Sequence, residues 1–239
     1  MQMSRIRGGA ATLLIAGALV GTGFSIIPAR ADETISIGGS SAVLLRPASP
    51  RGSGILMPGS HGSIGTAADG QITRLQGNSL VRNRASFRAR GLAVLVVDGG
   101  VNLASAVEYM AKIKRPVVVI ASSRGTLRAA RGIAGGAQPD ALVLASGYLT
   151  DASGSSENVA NILGSSAALP RTLVIHHRRD GCRVTQPAGV DPFIRWAGGR
   201  ARVVWVDGGR EAGDPCQAEG HHGFAGIDGR LVSLAAGFR

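Results

Sequence analysis

Ser123 has the local sequence of a serine nucleophile. It is the middle residue of Ala-Ser-Ser-Arg-Gly at 121–125, which follows a mostly β-branched run at 116–120 and precedes a helical pattern. A serine between small residues at a sharp strand-to-helix turn is held on a strained backbone with an exposed hydroxyl, the nucleophile elbow. The pattern predicts nucleophilic chemistry at Ser123, and the alternative is that Ser122 and Ser123 are ordinary turn residues.

Asp180, His221 and His222 are the candidate partners of this serine. A serine hydroxyl is a weak nucleophile that needs a base within hydrogen-bond reach, and the base needs a group that orients it. Asp180 comes just after a predicted strand at 172–175, and the two histidines follow the next predicted strand. In an open α/β sheet such positions lie beyond the carboxyl ends of the strands, so we expect these side chains near Ser123.

Other polar residues at predicted strand ends are alternatives for these roles. Asp98 and Asp207 are rival acids, which could instead cap turns. His176 and His177 are expected to be structural residues beside the acid loop. His61, in a glycine-rich loop, either polarises a substrate or holds backbone carbonyls.

Strands and helices alternate along the chain. Short apolar runs predict strands at 92–97, 116–120, 141–145, 172–175 and 203–206. Helical periodicity predicts a helix at 103–114. This alternation predicts an α/β domain with a mostly parallel central sheet, helices on both faces and right-handed crossovers.

Patterns in three further parts of the chain predict a sheet edge, a helix and an open site. Residues 34–37 and 42–46 are short extended candidates and predict an antiparallel edge. Residues 78–90 predict one helix with an apolar side, closed by Gly91. The segment 147–171 is too short for a large lid, so we expect an open site.

Residues 1–31 are predicted to be a secretory signal peptide. A basic start and an apolar run at 10–23 precede the small-x-small sequence Ala-Arg-Ala at 29–31. A membrane anchor is the alternative, but the apolar run is shorter than the roughly 20 residues of a span. We therefore expect a periplasmic or secreted protein with one domain at 32–239 and no stable membrane insertion after cleavage.

The chain is strongly basic, with a net charge of +11. Removing the three positive charges of Arg5, Arg7 and Arg30 lowers it to +8, which still attracts anionic surfaces. The arginines are scattered and aromatic side chains that could stack on bases are few, so compositional bias is the preferred interpretation. No nucleic-acid partner is expected.

Cys182 and Cys216 are predicted to form a disulfide, because their number is even and the chain is predicted to enter an oxidising compartment. The bond would tie the loop after Asp180 to the loop before His222 and hold the two side chains in register. A zinc site is the alternative, since pairs of histidines flank both cysteines, but the spacing matches no standard zinc motif.

Four segments together carry a family resemblance: Pro-Gly-Ser-His-Gly at 58–62, Ser-Ser-Arg-Gly-Thr at 122–126, His-His-Arg-Arg-Asp-Gly-Cys at 176–182, and Asp-Pro-Cys at 214–216 leading to His-His-Gly-Phe at 221–224. From about residue 54 to its end the chain resembles the α/β-hydrolase superfamily, close to secreted bacterial serine hydrolases of dienelactone-hydrolase-like type. The resemblance implies Ser123 as nucleophile, His222 as base and Asp180 as orienting acid. In this family the histidine directly precedes Gly-Phe, which favours His222 over His221. Ala121 stands where glycine is commoner, and it is still small.

The resemblance also implies an oxyanion hole made of two backbone N–H groups. One belongs to Arg124, the residue after the nucleophile. The second is expected from the glycine loop at 59–62. Aligning its Pro-Gly with the His-Gly of other members points to Ser60, whereas aligning His61-Gly62 points to Ser63, and Ser60 is the preferred donor.

We therefore expect a serine hydrolase that cleaves carboxylic ester, lactone or thioester bonds of a small-molecule substrate through an acyl-enzyme, with neither cofactor nor metal. The alternatives are a non-catalytic member that binds anionic ligands and a metal-dependent hydrolase that uses the histidine and cysteine clusters. The sequence indicates neither the identity of the substrate nor the oligomeric state.

Overall fold

A computed structural model describes residues 32–239, so the predicted signal peptide at 1–31 lies outside the described residues. The strands are β1 (Glu33–Ile37), β2 (Ser40–Leu45), β3 (Gly52–Met57), β4 (Leu92–Val97), β5 (Val117–Ser122), β6 (Ala141–Ala145), β7 (Thr172–His177) and β8 (Ala201–Val206). The helices are α1 (Ser79–Arg82), α2 (Arg84–Ala89), α3 (Leu103–Ile113), α4 (Gly125–Ala134), α5 (Val159–Leu163), α6 (Val190–Trp196) and α7 (Asp228–Gly237). Within the described part, no helix is long and apolar enough to cross a membrane.

One sheet contains these strands in the order β1-β2-β4-β3-β5-β6-β7-β8. β2 pairs antiparallel with both β1 and β4, and the pairs from β4 to β8 are parallel. The mostly parallel sheet with an antiparallel edge is therefore confirmed. The carboxyl ends of β3, β5 and β7 lie at the same edge, which brings the loops that follow them together.

Both faces of the sheet are covered, which explains why its central strands are apolar throughout. β3, β4, β5 and β6 are buried at every position. On one face, α3, α4, α5 and α6 supply core residues such as Met110, Ile133 and Phe193. On the other, α1, α2 and α7 supply residues such as Phe87 and Leu231. The predicted helices on both faces are confirmed.

The single helix predicted at 78–90 is wrong, because the structure has two short helices, α1 and α2, that meet at Asn83. The Asn83 amide donates hydrogen bonds to the Ser79 carbonyl, at 2.8 Å, and to the Asp228 carboxylate at the start of α7. A side chain that binds backbone in this way competes with regular helix hydrogen bonding. The predicted end at Gly91 agrees with its left-handed φ of +83°.

Candidate active site

Ser123 lies in the tight turn between β5 and α4, with the left-handed φ of +51°. Its backbone N–H donates to the Ala145 carbonyl at 3.0 Å, and its carbonyl accepts from the N–H and hydroxyl of Thr126, at 2.9 and 2.7 Å. A non-glycine residue in this conformation costs about 1 to 3 kcal/mol, so the surrounding bonds must hold it there. The side chain is partly exposed, as an elbow requires.

Small residues around Ser123 are required by close backbone approach. A Cβ at Gly125 would overlap the carbonyl oxygens of Met57 and Pro58 at the end of β3. A Cβ at Gly59 would lie 2.9 Å from the Ser123 Cβ. Gly125 and Gly59 therefore let the turn that carries Ser123 approach the end of β3 and the loop after it.

His222 is held by a buried carboxylate. Its Nδ1 lies 3.2 and 3.1 Å from the two carboxylate oxygens of Asp180. Both side chains are almost fully buried, and His222 belongs to the short 3₁₀ turn His221–Gly223. With Nδ1–H donating to the carboxylate, Nε2 is the ring nitrogen that can accept a proton.

The environment of Asp180 keeps it ionised. Burial raises the pKa of this carboxyl, but the hydrogen bond and charge of His222, the charge of His176 and the Cys182 N–H together outweigh burial, so the pKa lies below its usual value. The Cys182 N–H donates to Asp180 Oδ1 at 3.0 Å. A negative charge fixed against Nδ1 can orient the imidazole and stabilise it when it is protonated.

Thr185 is a member of this cluster that the sequence did not indicate. Its buried hydroxyl donates to Asp180 Oδ2 at 3.2 Å and lies 3.1 Å from His222 Nδ1. The hydroxyl thus occupies an acceptor site on the carboxylate that burial would otherwise leave empty. Its only sequence signal is its place five residues after Asp180, in the same loop.

Ser123 and His222 line one pocket of about 230 Å³. The other lining residues come from the glycine loop, the segment that leads into α1, the residue before Ser123 and the residues on both sides of His222: Gly59, Ser60, Leu75, Gly77, Asn78, Ser79, Ser122, Cys216, Gln217, Ala218, Glu219 and Gly223. The structure therefore brings the predicted serine and histidine to one cavity, with Asp180 hydrogen-bonded to the histidine.

In the part of the chain that the structure describes, two backbone N–H groups beside Ser123 have no hydrogen-bond partner. Arg124 precedes the first residue of α4, and Ser60 has a left-handed φ of +53°. No hydrogen bond within residues 32–239 uses the N–H of either residue. Ser60 lines the pocket with Ser123, whereas Ser63 lines only a neighbouring cavity. Of the two alternatives, Ser60 is therefore the one that shares the pocket with Ser123.

The rival acids have other partners. Asp98 accepts a hydrogen bond from the Ile64 N–H at 3.1 Å, in the loop after β3. Asp207 forms an exposed ion pair with Arg178, at 3.2 Å. Each carboxylate therefore has a local structural role away from His222.

The remaining histidines form a neighbouring layer. His177 Nδ1 accepts from the Arg179 N–H and its Nε2 donates to the Gly208 carbonyl, both at 3.0 Å. His177 also stacks on His221, which binds Glu211 at 2.7 Å. These contacts are structural, as expected of His177, and they fix the turn that carries His222.

His176 is completely buried, with Nε2 3.5 Å from Asp180 Oδ2. Burial lowers its pKa to about 4, although the charge of Asp180 opposes the shift. It is therefore neutral at neutral pH. His61 is exposed and lines a second cavity, which also contacts Ser123, Arg124 and Tyr148.

The predicted disulfide between Cys182 and Cys216 is confirmed. Cys216 also lines the pocket that contains Ser123. Both thiols of the alternative zinc site are thereby used. Within residues 32–239, no group of three or more His, Cys, Asp or Glu side chains is arranged to hold a metal ion.

Comparison of the structure with solved structures shows the α/β-hydrolase fold. The chain is similar to an esterase from Pyrococcus furiosus, with a TM-score of 0.62 and 16% identity over 88% of this chain and 91% of the other. It is also similar to an alpha-beta serine hydrolase homologue from Coxiella burnetii (TM-score 0.56, 16% identity, 89% and 98% covered) and to a dienelactone hydrolase from Anabaena variabilis (0.56, 15%, 88% and 96%). No family model and no curated protein matches the sequence.

Proposed function

We propose that this protein is a serine hydrolase that cleaves carboxylic ester, lactone or thioester bonds through an acyl-enzyme intermediate. One observation carries the proposal: Ser123, in a left-handed strand-to-helix turn, shares a pocket with His222, whose Nδ1 is held by the buried Asp180 carboxylate. The fold shared with solved esterases and serine hydrolases supports the same conclusion.

In the proposed reaction, His222 Nε2 takes the proton of the Ser123 hydroxyl as Oγ attacks the acyl carbon. Asp180 stabilises the imidazolium and fixes its tautomer. The imidazolium then gives its proton to the leaving oxygen or sulfur as the bond to the acyl group breaks. Water attacks the acyl-enzyme with His222 again as base, which releases the acid and restores Ser123.

The N–H groups of Arg124 and Ser60 would stabilise the tetrahedral oxyanion. Their lack of partners in the described chain supports this role, because donors aimed in advance at the developing charge need no reorganisation. Arg124 contributes its backbone, so its exposed side chain is not required for this step.

The pocket supports a small substrate. Its volume is about 230 Å³, and the second cavity that Ser123 lines has about 220 Å³. Each is below the roughly 300 Å³ at which typical ligand pockets begin, which favours a short acyl group and a short alcohol group. The disulfide supports the proposed periplasmic or secreted location, since such bonds persist in oxidising compartments.

A fluorophosphonate probe tests the proposal together with nitrophenyl esters of increasing chain length and a lactone. We expect labelling at Ser123, loss of labelling and turnover in Ser123→Ala, and no effect of a chelator. Ser122→Ala is the matched control, because Ser122 lines the same pocket one position earlier and should leave the label intact. Folded protein that neither labels nor turns over would contradict the proposal and favour a binding protein.

A further inference from the structure

Arg128 joins the helix after the elbow to the glycine loop. It lies in α4, and its guanidinium donates to the carbonyls of Pro58 and Ser60, the latter at 3.2 Å. A Cβ at Gly62 would lie 2.6 Å from the Arg128 Cζ, so glycine at this position leaves room for the guanidinium. One side chain therefore contacts the glycine loop on both sides of Gly59.

These contacts fix the peptide that carries the Ser60 N–H. This N–H belongs to the peptide between Gly59 and Ser60, whose carbonyl accepts from the Gly62 N–H at 3.2 Å. The carbonyls of the preceding and following peptides are the two that Arg128 binds. Three consecutive carbonyls thus accept hydrogen bonds, and the Ser60 N–H between them has no partner among residues 32–239.

We propose that Arg128 is a positioning residue for the oxyanion donor Ser60: its guanidinium holds the glycine loop so that the Ser60 N–H faces the substrate oxyanion. This inference rests on the proposed function. Arg128 acts through the loop and does not touch the reacting atoms.

The charge of Arg128 is directed at these carbonyls. Among the described residues it forms no ion pair within 4.0 Å. Burial and the charges of Arg124 and Arg131 lower the pKa of Arg128, and the charge of Asp98, which lies beyond ion-pair distance, opposes them. An arginine stays protonated at any pH at which the enzyme would work. Hydrogen bonds from an ionised donor are roughly twice as strong as neutral ones, so the guanidinium can hold the glycine loop more firmly than a neutral donor could.

The test uses Arg128→Ala and Arg128→Lys, with Arg131→Ala as the matched control. Arg131 lies on the same helix and forms an exposed ion pair with Glu157. Loss of one oxyanion donor costs about 100- to 1000-fold in kcat, and a loosened donor should cost less. We expect kcat of Arg128→Ala to fall about 10- to 100-fold with KM within about threefold, and Arg131→Ala to match the wild type.

Rescue separates positioning from a general structural role. Guanidinium at non-denaturing concentration should restore part of kcat in Arg128→Ala and leave the kcat of the wild type and of Arg131→Ala unchanged. Arg128→Lys keeps the positive charge and lacks the planar guanidinium that binds two carbonyls, so its kcat should lie between those of Arg128→Ala and the wild type.

Three results would overturn the inference: a folded Arg128→Ala with wild-type kcat, a fall in kcat that guanidinium does not reverse, or failure of both Arg128 variants to fold. If the wild type neither hydrolyses esters nor labels at Ser123, the proposed function itself fails. Wild-type labelling with unchanged Arg128 variants would remove only this inference.

Discussion

Loss of the Cys182–Cys216 bond is expected to lower the stability of the domain. The cysteines are separated by 34 residues in sequence. In the chain-entropy model, a cross-link that closes a loop of this length stabilises a protein by about 4 kcal/mol at 25 °C. At about 2 to 4 °C per kcal/mol for a domain of this size, the Tm should fall by about 8 to 16 °C.

Turnover should fall as well, because the bond joins two parts of the proposed catalytic site. Cys182 donates its N–H to Asp180, and Cys216 lines the pocket six residues before His222. Without the bond, the loop before His222 keeps contacts such as the Glu211–His221 pair and the Arg82 bond to the Ala218 carbonyl. A displacement of about 1 Å can cost about 100-fold in rate, so with these contacts kept we expect kcat to fall about tenfold.

The assay compares oxidised wild type, reduced wild type and Cys182→Ala/Cys216→Ala by thermal unfolding and by ester hydrolysis well below the lowest Tm. Reduction, verified by a thiol count, should bring the wild type to the Tm and kcat of the double variant and leave the double variant unchanged. Confirmed reduction without change in Tm would refute the stability argument, and an unchanged kcat would show that the bond does not hold Asp180 and His222 in register.

Two further predictions concern the residues around His222. Asp180→Asn should lower kcat by about 10⁴-fold with little change in KM, because the neutral amide neither fixes the Nδ1–H tautomer of His222 nor stabilises its imidazolium. Single-turnover kinetics measure this change. A loss of kcat under about tenfold would exclude Asp180 as the orienting acid. His176 is neutral when folded, with a pKa lowered by burial to about 4, whereas the unfolded chain binds a proton near 6.5, so stability should fall as pH drops from 6.5 to 4. The loss of stability should approach about 3 kcal/mol at pH 4. Urea unfolding at pH 7 and pH 4.5 should show this loss in the wild type and not in His176→Leu, whereas His177 is present in both proteins and contributes equally to both. The same pH dependence in the two proteins would contradict the assignment of the loss to His176.

The sheet could be predicted from sequence because its central strands are buried on both faces. Runs such as 92–97 and 141–145 are apolar at every position, so length and flanking turns were enough to place them. The edge hairpin followed from short extended segments. The prediction of one helix at 78–90 was wrong because Asn83, where the two helices meet, binds Asp228, a partner far away in sequence.

The catalytic roles of Ser123, Asp180 and His222 are proposed, and the placement of these three residues and of the cysteine pair was predictable from chain order and local pattern. Thr185 and Arg128 were not, because their roles depend on contacts between loops and helices that only the folded chain defines. The sequence left both Ser60 and Ser63 as possible donors, with Ser60 preferred, and in the structure only Ser60 of the two lines the pocket with Ser123.

Gln217 and Glu219 form a part of the pocket wall that can change without disturbing the core. Both side chains are exposed, and both line the cavity that holds Ser123. Exposed loop positions tolerate substitution far better than core positions. In the proposed hydrolase, substitutions at these two residues can therefore change the substrate preference with little effect on the stability of the sheet.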